Sequence, residues 1–506
     1  MAAVVLVVAL ALAVASPAGA SNPARTATSS GTTCGVADVS TAAGLEALAC
    51  RTVTEVVRGV AAMCRMPLRS LPDPAAPDAC AAIDGRKISA ARLEAYQSSW
   101  THRALTLQRG LDVDVPLLEA QLPHTHNSFN SSAYEIPADL SHPGYYPTLT
   151  NQDPNQVYTI AGQLDMDVRA IEMDVHWVPS PFGNASTGGY WVTLCHGDSG
   201  NPLHVHVGCT IDRPFQDGLD ELAGWLHRHP DQFVLLYLEN QLGDSAQAHQ
   251  VAGALIRQHL GSLVEPTSRP CAALDYHETQ ASILAAHHQI AIVGDCGAGA
   301  GTAWGAAVHE RGLLWDEHGD PTAYSAAQCA ADSQARASDS SFRRYFEDST
   351  FVAAAAGTNP LTSSLGGTST ISAEGAAAMT RCGVNIIGFD QLTPEDPRLT
   401  ALVWSWAPNE PRADAGACAY QGSDGRFHAG DCQGARRVAC QAANGAWTLS
   451  TPAVAWPNAA RACPQGTTFA VPRNGFRNAQ LVAAKGTGGA SVWLAYHRVA
   501  GTWAPA

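Results

Sequence analysis

The stretch LPHTHNSFN, Leu122 to Asn130, decides how the chain is read. Three more stretches follow it: RAIEMDVHW (Arg169 to Trp177), TLCHGD (Thr193 to Asp198) and FVLLYLEN (Phe233 to Asn240). Each couples a short apolar run to groups that bind metal or move protons. Asn127, Glu172, Asp174 and Glu239 offer hard oxygen ligands, and His126 and His196 offer two imidazoles. The period of two along a strand sends Glu172 and Asp174 out of one face while Ile171, Met173 and Val175 leave by the other. Neighbouring carboxylates repel, so either one takes up a proton or a cation sits between them. A third carboxylate, Glu239, and the amide oxygen of Asn127 favour the cation. Oxygen donors without thiolate suit Ca²⁺ or Mg²⁺ better than Zn²⁺. Ca²⁺ is expected, because its flexible sphere leaves room for waters and substrate oxygens.

These motifs, in this order, resemble the X-domain of the phosphatidylinositol-specific phospholipases C, within the wider group of phosphodiesterases on an irregular TIM-type (β/α) barrel. The likeness runs from about Leu117 to about Thr393. THNS matches that family's first histidine motif with His126 and Asn127, and IEMD its acidic pair with Glu172 and Asp174. CHG matches the second histidine with His196, and YLEN the last acidic ligand with Glu239. Metal-independent relatives place a basic side chain where the cation would sit. Here all ligand positions are acidic or amide, so the resemblance is to the Ca²⁺-dependent branch.

The resemblance implies cleavage of phosphatidylinositol or a related inositol phosphodiester. A neighbouring hydroxyl attacks phosphorus in line while a base removes its proton and an acid protonates the departing alkoxide. His196 is expected as the acid. His126 acts as base, or donates a hydrogen bond to the phosphate while a carboxylate such as Glu172 takes the proton. Asp390 is expected to orient an imidazole. Arg169 and Arg343 are the candidates for substrate contact, with Arg344 beside them. With only two lysines, Lys87 and Lys485, the chain is poor in groups for ring phosphates, which favours an unphosphorylated inositide or a soluble phosphodiester. One alternative is a glycerophosphodiesterase or sphingomyelinase-D-type enzyme, which shares the E-x-D pair but usually has His-Arg where THNS stands. The other is a secreted lectin-like binding protein without catalysis, against which every expected catalytic position is filled.

The 506 residues are room for about two to four domains. Residues 1–20 read as a secretory signal peptide, an apolar run ending in Ala18, Gly19 and Ala20, though without Lys or Arg ahead of it. No later stretch has the ~18 apolar residues of a spanning helix. Fourteen cysteines, an even number and without a C-x-x-C pair, fit disulfides in an oxidising, extracellular space. A net charge of −15 argues against nucleic acid and against long-range attraction to an anionic membrane. Any peripheral membrane contact must then be apolar and local.

Residues 21–33 read as a disordered tether, and residues 34–110 as a helical cap carrying Cys34, Cys50, Cys64 and Cys80, with a helix over Ser89 to Arg109. The barrel is expected over residues 111–397. Its signals are a helix over Ser245 to His259, strands over Gln289 to Asp295 and near Leu313, the helical SAEGAAAMTRCG, and a strand over Val384 to Leu392. Thr302 to Ile371 shows no clear pattern. In such barrels chemistry collects at the C-terminal ends of strands, where His126, Glu172, His196, Glu239 and Asp390 fall.

Residues 398–506 resemble a C-type lectin-like module with its two halves in reversed order, as in a circular permutant. That likeness implies the bridges Cys418–Cys432 and Cys440–Cys463. Its sugar-binding signature is degraded: Arg412 follows Glu410 and Pro411, and Phe427 and His428 stand where Trp-Asn would be, so no Ca²⁺-dependent sugar site is expected. A Cys195–Cys209 bridge is expected near His204 and His206, which read as surface residues. Trp177 and Tyr190 read either as core or as an aromatic rim. Asn130 and Asn184 head glycosylation sequons.

Overall fold

The computed structural model describes residues 90–131, 133–134, 154–179, 187, 189–196, 212–317, 324–349, 369–486 and 489–506. The signal peptide, the tether, the cap cysteines, Asn184, His204, His206 and Cys209 lie outside these residues. Helix α1 (Ala90–Gln97) is followed by α2 (Trp100–Asp112), whose N-cap Ser99 accepts from the His102 N–H through its side chain. A capping serine starts a new helix, so the single helix expected over Ser89 to Arg109 is broken in two.

The barrel region then reads β1 (Leu122–Thr125), α3 (Ile160–Asp165), β2 (Ala170–Pro179), β3 (Tyr190–Cys195), β4 (Asp212–Pro214), α4 (Phe215–Arg228), β5 (Val234–Gln241) and α5 (Ala246–His259). It continues with α6 (Gln280–Ala285), β6 (Ile290–Gly294), β7 (Leu314–Glu317), α7 (Ala326–Ala337), β8 (Phe342–Phe346), α8 (Ala373–Cys382), β9 (Ile386–Phe389) and α9 (Pro397–Ala401). The strand expected near Leu313 is β7, and the rest of the Thr302 to Ile371 stretch, which showed no clear pattern, holds α7 and β8. Charge hides β8: FRRYF lacks the apolar alternation by which strands are read.

Parallel ladders run β6–β5–β2–β1–β9–β8–β7, so the sheet follows chain order and curls until its first strand meets its last. β3 and β4 extend the outer half of β2 antiparallel. A fully closed ring is realised in part. Among the described residues no ladder joins β6 to β7; an isolated bridge, Val293 to His309, flanks β6 there.

Register places the interior in layers. Leu122, Ala170, Leu235, Ala291, Phe342 and Ile386 belong to one buried cluster that closes the base. The opposite phase of the same strands, with Ile171, Met173, Val234, Leu236 and Leu238, joins Leu219, Leu222, Ala252 and Ile256 of α4 and α5 in the outer core. Each such aliphatic side chain contributes about 1.5–3 kcal/mol on burial. The next interior layer is polar: His124, Glu172 and Arg344, beside Tyr237 and Gly388. A Cβ on Gly388 would stand 2.7 Å from His124 Cδ2 and 2.9 Å from Phe346 Cβ, so only glycine leaves His124 its place.

The C-terminal region forms a second sheet of seven strands: β10 (Cys418–Gln421), β11 (Phe427–Gly430), β12 (Arg437–Ala442), β13 (Trp447–Leu449), β14 (Thr467–Phe469), β15 (Val492–Val499) and β16 (Thr502–Pro505). Helices α10 (Ala459–Ala462) and α11 (Gly475–Lys485) complete it. The bridges Cys418–Cys432 and Cys440–Cys463 are present as expected, and Cys271–Cys296 and Cys329–Cys382 brace the barrel. Cys195 is also disulfide-bonded, to a cysteine outside the described residues. Trp406, Leu481 and Tyr496 of this region share one core cluster with Met379 and Leu402, so the module and the barrel are packed as one body. At the foot of β1, Arg477 Nη2 lies 3.0 Å from Glu119 Oε1 and the Gly475 N–H donates to Gln121 Oε1 at 2.7 Å. Among the described residues no helix is long and apolar enough to cross a membrane.

Candidate active site

The top interior layer gathers the residues singled out in the sequence. Asp174 and Glu239 are direct register partners across β2 and β5. Oxygen atoms of Glu172, Asp174 and Glu239 lie within 4.8 Å of one another. Burial and the charges of Glu239 and Glu172 hold the Asp174 carboxyl well above the ordinary carboxylate range. Glu239 is raised by burial and by Glu172, while Gln241 Nε2 donates to its Oε1 at 2.5 Å.

Glu172 behaves differently. Burial works to raise its pKa, but Arg344 chiefly, then His126 and His124, bring it down to about 2. Arg344 Nη2 donates to Glu172 Oε2 at 2.5 Å, and the Asn127 N–H donates to the same oxygen at 3.2 Å. His124 aims the guanidinium. Its Nδ1 donates to the Ala170 carbonyl at 3.1 Å and its Nε2 accepts from Arg344 Nε at 3.3 Å. Burial, with Arg344 next, pushes the His124 pKa down to about 3, so this imidazole is neutral. Once all three are ionised, three carboxylates against one guanidinium would leave two negative charges, the complement of a divalent cation.

The carboxylates therefore fit such a cation, and Asn127 fits it with its amide oxygen on the Asp174 side. With its amide nitrogen turned to Asp174, 3.0 Å from each oxygen, Asn127 would satisfy every neighbour in the absence of a cation, and its oxygen would accept from His126 Nε2 at 3.2 Å and His196 Nε2 at 3.3 Å. Turning the oxygen toward Asp174 sets acceptor against acceptor, which a cation between them would stabilise. Asn127 holds a positive φ of 45°, a conformation asparagine tolerates better than most residues and one that brings its side chain and N–H into the same site.

Both imidazoles thus point Nε2 at one place. Behind His126, Nδ1 lies 3.1 Å from Asp390 Oδ1. Burial opposes the charged imidazole, yet Asp390 and then Glu172 outweigh it and raise His126 to about 9. Asp390 is itself anchored: Ser349 N–H at 2.8 Å and Asn155 Nδ2 at 3.1 Å donate to Oδ2. Its own N–H donates to Glu347 Oε2 at 2.6 Å, and Arg398 grips both Glu347 oxygens at 2.7 and 2.6 Å.

The model of the Rv2075c PI-PLC-like domain matches residues 83–396 of this chain. The chain belongs to this family. Proteins Rv2075c and MT2135 of Mycobacterium tuberculosis, both described as uncharacterized, are each 36% identical to it over 466 residues, covering 89% of either chain. Among solved structures it is similar to the phosphatidylinositol-specific phospholipase C of Listeria monocytogenes, at 10% identity and a TM-score of 0.34, covering 59% of this chain and 98% of that one. It is also similar to a Ca²⁺-dependent phosphatidylinositol-specific phospholipase C from Streptomyces antibioticus, at 12% identity and a TM-score of 0.30, covering 56% and 98%.

Within this PI-PLC-like domain His126, Asn127, Glu172, Asp174, His196, Glu239 and Asp390 come together, and the two proposed substrate arginines do not. Arg169 precedes β2, at the strand end away from the site. Its Nη1 donates to the Leu164 and Val168 carbonyls at 2.8 and 2.7 Å, and its guanidinium lies over Trp225. Arg343 leaves β8 by the outer face, 3.9 Å over the Trp315 ring and 3.5 Å from Asp332 of α7. Its neighbour Arg344 points inward. The period of two decides between them, and the phase was unreadable without the strand. His124, Asn130 and Asn155 were missed as well; of these only His124 carried a signal, lying two residues before His126 on the same strand face. Trp177 packs on the core and stacks at 5.6 Å on Tyr190, which is 40% exposed. The sequon asparagine Asn130 is 1% exposed with its amide nitrogen already bonded, which closes it to glycosylation in this fold.

Proposed function

We propose that the protein is a secreted, Ca²⁺-dependent phosphodiesterase of the phospholipase C type. Its substrate would be phosphatidylinositol or a related inositol phosphodiester. One observation carries the reading: two imidazoles direct Nε2 to a single point beside a cluster of three carboxylates. Glu172, Asp174 and Glu239, joined by Asn127 through its amide oxygen, would hold the cation. When bound, Ca²⁺ supplies charge stabilisation for the phosphoryl oxygens and acidifies the attacking hydroxyl. His126 moves that hydroxyl's proton at Nε2, with Asp390 fixing the ring through Nδ1. Its pull toward the charged form comes partly from Glu172, so neutralising that carboxylate returns His126 toward the pH range where it can accept a proton. His196 Nε2 faces the same space. Secretion is supported by the signal-like N-terminus and the disulfides. The lectin-like reading of the C-terminal region is supported by its two bridges and carries no sugar site in this proposal.

The test uses the purified full chain with phosphatidylinositol vesicles, measuring water-soluble inositol phosphate with Ca²⁺ and with chelator. Release that needs Ca²⁺ is expected. Failure on inositides together with hydrolysis of glycerophosphodiesters or sphingomyelin would transfer the site to the alternative enzyme class.

A further inference from the structure

Two of the three carboxylates are each held by one oxygen, and their donors differ in charge. Glu172 Oε2 accepts from the Arg344 guanidinium at 2.5 Å and from the Asn127 N–H at 3.2 Å, so its charge already has a partner. Glu239 Oε1 accepts from Gln241 Nε2 at 2.5 Å. Gln241 lies two residues further along β5, and the period of two puts it on the Glu239 face. Its register partner on β2 is His176, as Asp174 is that of Glu239. The amide therefore stands one layer beyond the carboxylates, toward the C-terminal ends of the strands. An amide N–H donates without bringing a charge. Glu239 is thus oriented while its own charge, once it is ionised, stays uncancelled.

We propose that Gln241 is a positioning residue of the cation site, which pins Glu239 through Oε1 so that the carboxylate meets a divalent cation in a fixed orientation and with its full charge. The role rests on the Ca²⁺ reading above. Without the amide, the cation itself would have to order the Glu239 side chain and bear the loss of its rotamer freedom. Groups that hydrogen-bond a metal-ligating side chain fix its direction, and losing one costs about 10–100-fold in affinity. A charged donor would work against the cation. With Arg344 already on Glu172, a second positive side chain on Glu239 would leave the three carboxylates one negative charge in place of two. The neutrality of Gln241 therefore matters to the site as much as its N–H does.

The experiment is calorimetric titration of the chelator-stripped full chain with Ca²⁺, together with thermal melting in chelator and in Ca²⁺. Gln241→Met, similar in length but without the donor, should bind Ca²⁺ about 10–100-fold more weakly than the unmodified protein. Gln241→Lys keeps a donor and adds a charge, so it should melt higher in chelator and lose the Ca²⁺-induced rise in Tm. A folded Gln241→Met with the parent's affinity overturns the proposal. So does a Gln241→Lys whose Tm rises with Ca²⁺ as much as the parent's, and that result stands even where Gln241→Met does not fold. An unmodified protein that takes up no Ca²⁺ would overturn the proposal together with the metal reading. Failure to cleave inositides, with these affinities as expected, would remove the phosphodiesterase reading and leave the positioning role standing.

Discussion

Arg344 Nη2 stands 2.5 Å from Glu172 Oε2, with both side chains 2% exposed. A guanidinium thus occupies one edge of the carboxylate cluster and neutralises the member nearest to it. Removing one partner of a buried ion pair costs roughly 3–5 kcal/mol. Arg344→Gln should therefore melt far below the unmodified protein in chelator, because the remaining carboxylates lose their balancing charge. The more negative site should also bind a divalent cation more tightly, so added Ca²⁺ should raise the variant's Tm by more than it raises the parent's. Equal Ca²⁺-induced shifts would show that Arg344 does not balance the cluster.

Glu239 faces Asp174 directly across the β2–β5 ladder, and its charge is one of the three a cation would see. Glu239→Gln should weaken Ca²⁺ binding by at least the ~10–100-fold that loss of a supporting group costs a metal site. Calorimetric titration of the chelator-stripped protein reads this directly. Full-rate turnover in chelator would reject the metal site altogether.

Gly388 leaves the space that His124 fills. Gly388→Ala should displace His124 and cost about 1–3 kcal/mol, the usual range for overpacking. Gly110, exposed in α2 with nothing within 4 Å of the place an added methyl would take, is the control. Gly110→Ala should be neutral or stabilising by about 0.5–1 kcal/mol. Chemical denaturation of the two variants should give opposite signs; similar values would mean that the barrel yields at Gly388.

Asp167 sets a pH dependence away from the site. It accepts from Tyr96 Oη at 2.6 Å, from Arg109 Nη1 at 2.5 Å and pairs with His102 Nδ1 at 2.9 Å. Burial alone would raise its pKa, but Arg109 first, then His102 and Arg169, hold it well below the carboxylate range. The folded pKa is depressed, so the stability it contributes is present above the unfolded value of about 4 and is lost as pH falls below it. Asp167→Asn should destabilise most at pH 7, and its effect should shrink progressively only as pH falls from about 4 through the depressed folded value. Equal losses at pH 7 and at the acid end of that range would contradict the ion-pair account.

The module and barrel share a core through Met379, Leu402, Trp406, Leu481 and Tyr496. A chain ending at Ala415 would lose Leu481 and Tyr496, expose Met379, Leu402 and Trp406, and strip Glu119 and Gln121, at the foot of β1, of Arg477 and Gly475. Such a truncation should show no cooperative thermal transition. A sharp melt near that of the full chain would mark the module as dispensable for folding.

Local chemistry by itself determined which faces and which strand ends carry the site. The period of two alone puts Glu172 and Asp174 side by side, and the apolar runs before Glu239 and His126 are strands because little else buries them on both faces. What the sequence could not determine was phase and long-range pairing. Between Arg343 and Arg344 nothing in the sequence chooses, since both are the same residue on a strand too charged to be read as one. Asn130 and Asn155 sit in segments without periodicity, and their meaning appears only when the curled sheet brings β9 beside β1. A hydrogen-bond relay has no sequence period, because its order is set by which amide faces which in space.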